Sequence, residues 1–234
     1  MFNFDTINAM SEKNHPLKKR LKQTLPFLLT GFIFLVLFFL FTFWVRTNTL
    51  ENFDFDTTVR LQNNTPLRLD EPFSFLSVIG RFEYAFPALL IIIFLFPKIT
   101  LKQKFVASIA VIGVFGFSHV IELIGKNTLE QPGPPRMFLR SHFSEFPGLH
   151  VFTDASYPSG HSLRIVFLGI IGGFAILKSK LPQIIKYATY ISIFLLVTTM
   201  LYSRISLGEH WTTDVIGGVI LGISGALLSL AFLL

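Results

Sequence analysis

The sequence predicts an all-α membrane protein of six transmembrane helices. Three observations carry that reading. Of 234 residues, 51% are apolar and only 15% charged, whereas a soluble domain carries about 25% charged residues. Phe alone supplies 28 residues, and a soluble fold of this length lacks the interior to hide so much apolar surface. The apolar residues also fall into six runs that are apolar on every side rather than alternating, which suits helices in lipid and not the strands of a barrel. A soluble globule, a disordered chain and a nucleic-acid-binding module are excluded on the same grounds. With no cysteine in the chain, disulfides, zinc–thiolate sites and cysteine nucleophiles are excluded too.

The runs follow in order along the chain. Residues 25–45 form the first, without a charge. It exceeds the roughly 7–15 residues of a signal-peptide core and no small-residue cleavage site follows, so it reads as a retained crossing. Residues 84–98 form the core of the second, preceded by Gly80-Arg81-Phe82-Glu83. The third is 105–125, the fourth 163–177, the fifth 184–202 and the sixth 215–234. Crossing roughly 30 Å of hydrocarbon at 1.5 Å per residue takes about 20 residues. The second and fourth runs are shorter and need their polar first turns, which places the start of the fourth near Ser159. The chain thus divides into a basic N-terminus (1–24), a first transmembrane helix with its outer loop (25–74), and a helical bundle (75–234).

Charge sets the orientation. Segments 1–24, 98–104 and 178–186 together hold 11 basic and two acidic residues, and the rest of the chain holds nine basic and 12 acidic ones. The positive-inside rule places the first group in the cytoplasm, with both termini, and leaves 46–74, 126–158 and 203–211 outside. The net charge of +6 therefore marks topology and not a nucleic-acid partner.

Two outer segments collect polar residues. One begins at Lys126 and ends in Tyr157-Pro158-Ser159-Gly160-His161-Ser162; the other runs from Ser203-Arg204 through Glu209-His210 to Asp214. Two crossings separate them, so both reach the same membrane face. Each feature has a plain reading. Ser159 can cap a helix, His210 and Asp214 four residues apart can pair on one helix face, and Lys126 can snorkel. Together, two His, an Arg, a Lys and an Asp at one edge of a bilayer are costly groups that point to function.

These residues resemble the type 2 phosphatidic acid phosphatase (PAP2) superfamily of membrane lipid phosphatases, which also includes glucose-6-phosphatase and the vanadium haloperoxidases. That pattern joins Lys-x6-Arg-Pro, Pro-Ser-Gly-His and Ser-Arg-x5-His-x3-Asp. The second block is complete at Pro158–His161, and the third at Ser203, Arg204, His210 and Asp214. The first departs from it. Seven residues after Lys126 stands Gly133, followed by Pro134. Arg164, one turn after His161, is the preferred substitute for the missing Arg; Arg136 and Arg140 read as solvated loop charges or headgroup contacts.

The resemblance implies a PAP2/haloperoxidase-like helical bundle core and a multi-pass enzyme of the cell membrane with its site on the outer face. The reaction implied is hydrolysis of a lipid phosphate monoester or diphosphate, of the phosphatidic acid, phosphatidylglycerophosphate, isoprenoid diphosphate or sphingoid phosphate type. By resemblance His210 attacks phosphorus, Asp214 holds its other nitrogen, and His161 protonates the leaving oxygen and then activates water. Lys126, Arg204, Ser159, Gly160 and Arg164 hold the phosphate. No cofactor or metal is expected, and the partners are lipid substrate and membrane lipids. Two alternatives stay open: phosphoryl transfer to another acceptor by the same residues, and a non-catalytic membrane member of the fold. His119, Glu122, Arg81 and Glu83 read as partners that position Lys126 and the helices, and His142 and His150 as loop histidines.

Overall fold

The computed structural model describes residues 15–97, 101–129, 131–140 and 155–234. Among them the apolar runs form α1 (His15–Arg46), α4 (Phe82–Leu95), α5 (Leu101–Thr128), α6 (Gly160–Lys178), α7 (Gln183–Ser206) and α8 (Thr212–Leu230). Two shorter helices, α2 (Glu51–Asn64) and α3 (Asp70–Ser77), lie between α1 and α4. No named strand occurs among the described residues.

Five segments are long and apolar enough to cross a bilayer: Arg20–Arg46, Lys104–Thr128, Gly160–Lys178, Gln183–Ser206 and Thr212–Leu230. The expected second crossing differs. α4 has 14 residues, about 21 Å of helix at 1.5 Å per residue, which is too short alone. Its missing length comes from residues Leu67–Gly80, which meet Phe82–Leu95 at a 59° bend. A short 3₁₀ turn (Val78–Gly80) ends there, and Arg81 takes an extended backbone (φ −70°, ψ 149°) that starts α4 afresh. The pair is therefore bent, as in a broken span or a re-entrant loop, and the bend carries Gly80 and Arg81.

The expected outer loop is also helical. Asn48 turns the chain after α1 with φ 57°, a left-handed conformation that Asn tolerates better than most residues. α2 then opens on Glu51 and Asp54, acids that suit the positive end of a helix. Arg140, expected in solvent, is instead half-buried and spent as a clamp. Its Nε donates to Asp70 Oδ2 at 2.9 Å, Nη1 to the Gln62 carbonyl at 3.0 Å and Nη2 to the Thr65 carbonyl at 3.1 Å. A flat, five-donor group suits three acceptors at the end of α2 and the start of α3. Arg136 is exposed, as a loop charge should be.

α8 is the centre of the bundle, packed by α1, α5 and α6. Glycines make the α6 contact possible. A Cβ at Gly222 would stand 2.6 Å from the Leu163 carbonyl, and one at Gly218 would overlap that of Ser159, so the two backbones touch as small-residue interfaces in membranes allow. Leu89, Ile93, Val111, Phe115, Phe167, Ile171, Ala226 and Leu230 form one apolar cluster. Polar groups collect above it, where α4, α6 and α8 begin and α5 and α7 end.

Candidate active site

Three helix ends deliver the frame. The last turns of α5 present His119, Glu122 and Lys126 on one face, because residues three and four apart stack on a helix. Glu122 is buried and gathers three partners: His119 Nδ1 at 2.8 Å, Lys126 Nζ at 2.9 Å and Arg164 Nη1 at 2.9 Å. Two hydrogen-bonded cations offset what an ionised carboxylate loses on leaving water. The expectation that His119 and Glu122 position Lys126 agrees with this geometry.

The α6 start follows. Ser159 is the N-cap of α6, its hydroxyl accepting from Ser162 N (3.4 Å) and from Ser162 Oγ (3.0 Å). Its own N–H donates to the Asp214 carbonyl at 2.9 Å. The plain capping reading of Ser159 is thus realised, and its contacts tie α6 to α8. Gly160 lies against Glu122, where a Cβ would overlap the carboxylate. His161 is next, its ring against the α-carbon of Gly80. Tyr157, before the cis peptide bond to Pro158, is buried and shares a 2.9 Å hydrogen bond with Thr42 of α1; burial pushes its phenol up, so it stays neutral.

The α7–α8 junction completes the set. Arg204, in the last turn of α7, is 0% exposed and pairs through Nη1 with Glu209. Its Nε and Nη2 have no partner. His210 does not share a helix with Asp214 as its spacing suggested. It precedes Trp211, the N-cap of α8, and Asp214 is the third helical residue. Asp214 Oδ2 accepts from Trp211 N at 2.8 Å and lies 3.4 Å from His210 Nδ1, which makes no hydrogen bond in this arrangement.

The two imidazoles lie near each other. Their ring centroids are 6.5 Å apart at 56°. The charges of Arg204, Arg164 and Lys126, with the His210 ring, all bear on His161. The structure thus brings together His161, His210, Asp214, Lys126, Arg204, Gly160 and Arg164 from distant stretches of chain. Arg164 is held by Glu122 and by the Gly80 carbonyl, to which its Nε donates at 2.8 Å. Gly133 packs at the periphery instead, where a Cβ would meet Ser156 at 3.5 Å. His142 and His150 lie outside the described residues. No group of three or more His, Asp or Glu poised for a metal ion occurs among the described residues.

Sequence reasoning passed over three contributors. Glu209 stands in an unspecified gap of the third block. Gly80 sits at a helix break with no pattern to announce it. Asp54 of α2 caps α8 from outside, accepting from Thr213 N at 2.8 Å and Thr213 Oγ1 at 2.6 Å. Burial pushes the Asp54 carboxyl up to about 6, and Asp214 nearby adds to the rise, while the Thr213 hydrogen bonds oppose it. Only its place in an acidic first turn hinted at a capping role.

Comparison with known proteins agrees with the geometry. The fold resembles the crystal structure of a transmembrane PAP2-type phosphatidylglycerolphosphate phosphatase from Bacillus subtilis. The TM-score is 0.66 at 22% identity, covering 86% of this chain and 94% of that one. It also resembles Aquifex aeolicus LpxE, with a TM-score of 0.54 at 22% identity over 76% of this chain and 94% of that one. No curated protein sequence matches significantly. The model of the PAP2 superfamily matches residues 102–234, more than half the chain and every residue of the three sequence blocks, and the protein belongs to that superfamily.

Proposed function

We propose that this protein is an integral membrane phosphatase that hydrolyses a lipid phosphate monoester or diphosphate through a phosphohistidine intermediate. The observation that carries the reading is Arg204. A guanidinium with no exposed surface and two unpartnered nitrogens is costly unless an anion completes it, and both imidazoles and Lys126 lie around the same space. In this reading residues 75–234 are the catalytic bundle. The helix and outer elements of 25–74 brace it, and the basic 1–24 segment stays in the cytoplasm.

The chemistry follows from the residues. His210, neutral, forms a P–N bond through Nε2, because Nδ1 is the nitrogen beside Asp214. The carboxylate stabilises the positive charge that develops on the ring, as in other His–Asp pairs. The P–O bond to the lipid breaks, and His161 donates its proton to the departing oxygen. In the second step His161 accepts a proton from water, the water oxygen attacks phosphorus, and the P–N bond breaks to release phosphate and neutral His210. Lys126 and Arg204 hold the equatorial oxygens, where charge spreads in the transition state. The site lies at the outer membrane boundary, so a lipid can keep its tail in hydrocarbon while its headgroup enters.

The test is phosphate release by detergent-solubilised wild type and His210→Ala on a small panel: phosphatidylglycerophosphate, phosphatidic acid and an isoprenoid diphosphate. Release by wild type alone supports the proposal. Labelled phosphate appearing on a second lipid instead of in water favours a transferase, and release by neither protein overturns the enzymatic reading.

A further inference from the structure

The third sequence block fixes Arg204 and His210 and leaves residues 205–209 unspecified. We propose that Glu209, the last of these, is a positioning residue for Arg204: it takes Nη1 of the guanidinium, so that the Nε–Nη2 edge is presented to two oxygens of the substrate phosphate. The inference rests on the phosphatase reading above and adds a residue that the sequence blocks do not contain.

The backbone brings Glu209 back to Arg204. At the end of α7, Gly208 N donates to the Ile205 carbonyl at 2.9 Å and Glu209 N to the Arg204 carbonyl at 3.1 Å, the paired bonds of a Schellman turn. Gly208 supplies the left-handed residue that this turn needs, with φ 69°, and a Cβ there would also overlap the Phe138 carbonyl. His210 N donates to the same Arg204 carbonyl at 3.1 Å. One carbonyl therefore fixes Glu209 and His210 together. The two residues that a Schellman turn brings side by side usually share a hydrophobic contact. Arg204 and Glu209 share an ion pair instead.

The side chains carry the second argument. Glu209 meets Nη1 alone, and Nε and Nη2 are buried without a partner. Those two nitrogens share one edge of the flat guanidinium, and their N–H bonds run parallel. Such an edge matches two oxygens of a tetrahedral oxyanion. A carboxylate astride Nε and Nη2 would have consumed it. The guanidinium is close enough for its charge to bear on His161, whose ring centroid is 6.5 Å from that of His210. Direction outweighs charge at this position. The Glu209 side chain is 23% exposed, so water screens its repulsion of a phosphate. Arg204 is 0% exposed, so a donor aimed wrongly finds no water to replace the lost bond.

The experiment uses the full-length protein in detergent and reads two quantities: orthovanadate binding by calorimetry, and kcat/KM on the most active lipid of the panel. Glu209→Ala is expected to lower vanadate affinity and kcat/KM by about 10- to 100-fold, the scale of one well-aimed charged hydrogen bond. Glu209→Gln keeps the reach and an oxygen that accepts from Nη1, and stays close to wild-type values. Glu209→Asp keeps the charge but is one methylene short, and loses as much as Glu209→Ala. Glu71→Gln, exposed on α3, is the control and matches wild type. If Glu209→Ala does not fold, Glu209→Gln against Glu209→Asp still separates reach from charge. Three results overturn the inference: wild-type values in Glu209→Ala or Glu209→Asp, a loss in Glu209→Gln equal to that in Glu209→Asp, or tighter vanadate binding in any of these variants, which would make the carboxylate a competitor of the phosphate. Each leaves the phosphatase reading intact while wild type releases phosphate and His210→Ala does not. A wild type that neither binds vanadate nor releases phosphate overturns both.

Discussion

Gly160 and Glu122 touch: the α-carbon of Gly160 rests on the Glu122 carboxylate, and a Cβ there would also stand 2.7 Å from Arg164 Nη1. The helix that starts at Gly160 and carries His161 is therefore seated directly on the anion that organises Lys126 and Arg164. A long carboxylate side chain can usually swing away from a new methyl group. Glu122 cannot do so cheaply, because its two oxygens hold three partners at 2.8–2.9 Å.

Gly160→Ala should therefore lower kcat/KM by roughly 100-fold, the scale on which a displacement of about 1 Å impairs a positioned site. The protein should still insert and purify as wild type does. Rate assays alongside size-exclusion profiles check this, and a fully active Gly160→Ala enzyme would show that Glu122 does not set the position of His161.

Replacing Glu122 itself should act on stability first. Glu122→Gln keeps the shape but leaves Arg164 buried and Lys126 without its anion. Removing one member of a buried ion pair costs about 3–5 kcal/mol. Thermal unfolding in detergent should show a clear drop in midpoint, much larger than for the exposed control Glu83→Gln. Equal midpoints for the two variants would mean that the Glu122 cluster contributes little to the fold.

How far the sequence discloses this arrangement depends on the range of the interaction involved. The crossings follow from solvent: a run of apolar residues has one stable solution in lipid, and five of the six expected spans match long apolar helices directly. Ser159 as the start of α6 was legible because capping is local. The second span was not, since its break is made by packing of Gly80 against His161 and Arg164, 81 and 84 residues away in sequence. Arg140 misled for the same reason. Nothing in its neighbourhood announces that Asp70, Gln62 and Thr65 wait for it. The His210–Asp214 spacing read correctly as proximity and wrongly as a shared helix, because Trp211 takes the N-cap and the pair straddles it.

Asp54 should make stability depend on pH. Burial raises its carboxyl from 3.8 to about 6, so the folded protein prefers the protonated acid more than the unfolded chain does. The sign follows: this stabilisation is complete below about pH 4 and is lost as pH rises through about 6. A shift of this size corresponds to roughly 3 kcal/mol at most. Asp54→Asn mimics the neutral form and should flatten that part of the curve. Melting midpoints of both proteins from pH 4 to 7 decide the matter, and parallel curves would remove Asp54 as the cause.

Catalysis should depend on pH in a different way. His210 has to be neutral to attack phosphorus, and His161 has to carry a proton to give to the leaving oxygen. Only the intermediate protonation state of the pair is productive, so kcat/KM should trace a bell. Removing either ring should cost about 10²–10⁴-fold at the optimum. It should also change the shape: His161→Gln should lose the limb that reports the acid while the other limb survives. With Lys126 and Arg204 in the phosphate-holding roles proposed above, no metal ion is required, so the same profile should be recorded in EDTA. A rate that stays level from pH 4 to 9, or one abolished by the chelator and restored by Mg²⁺, contradicts a mechanism built on two histidines.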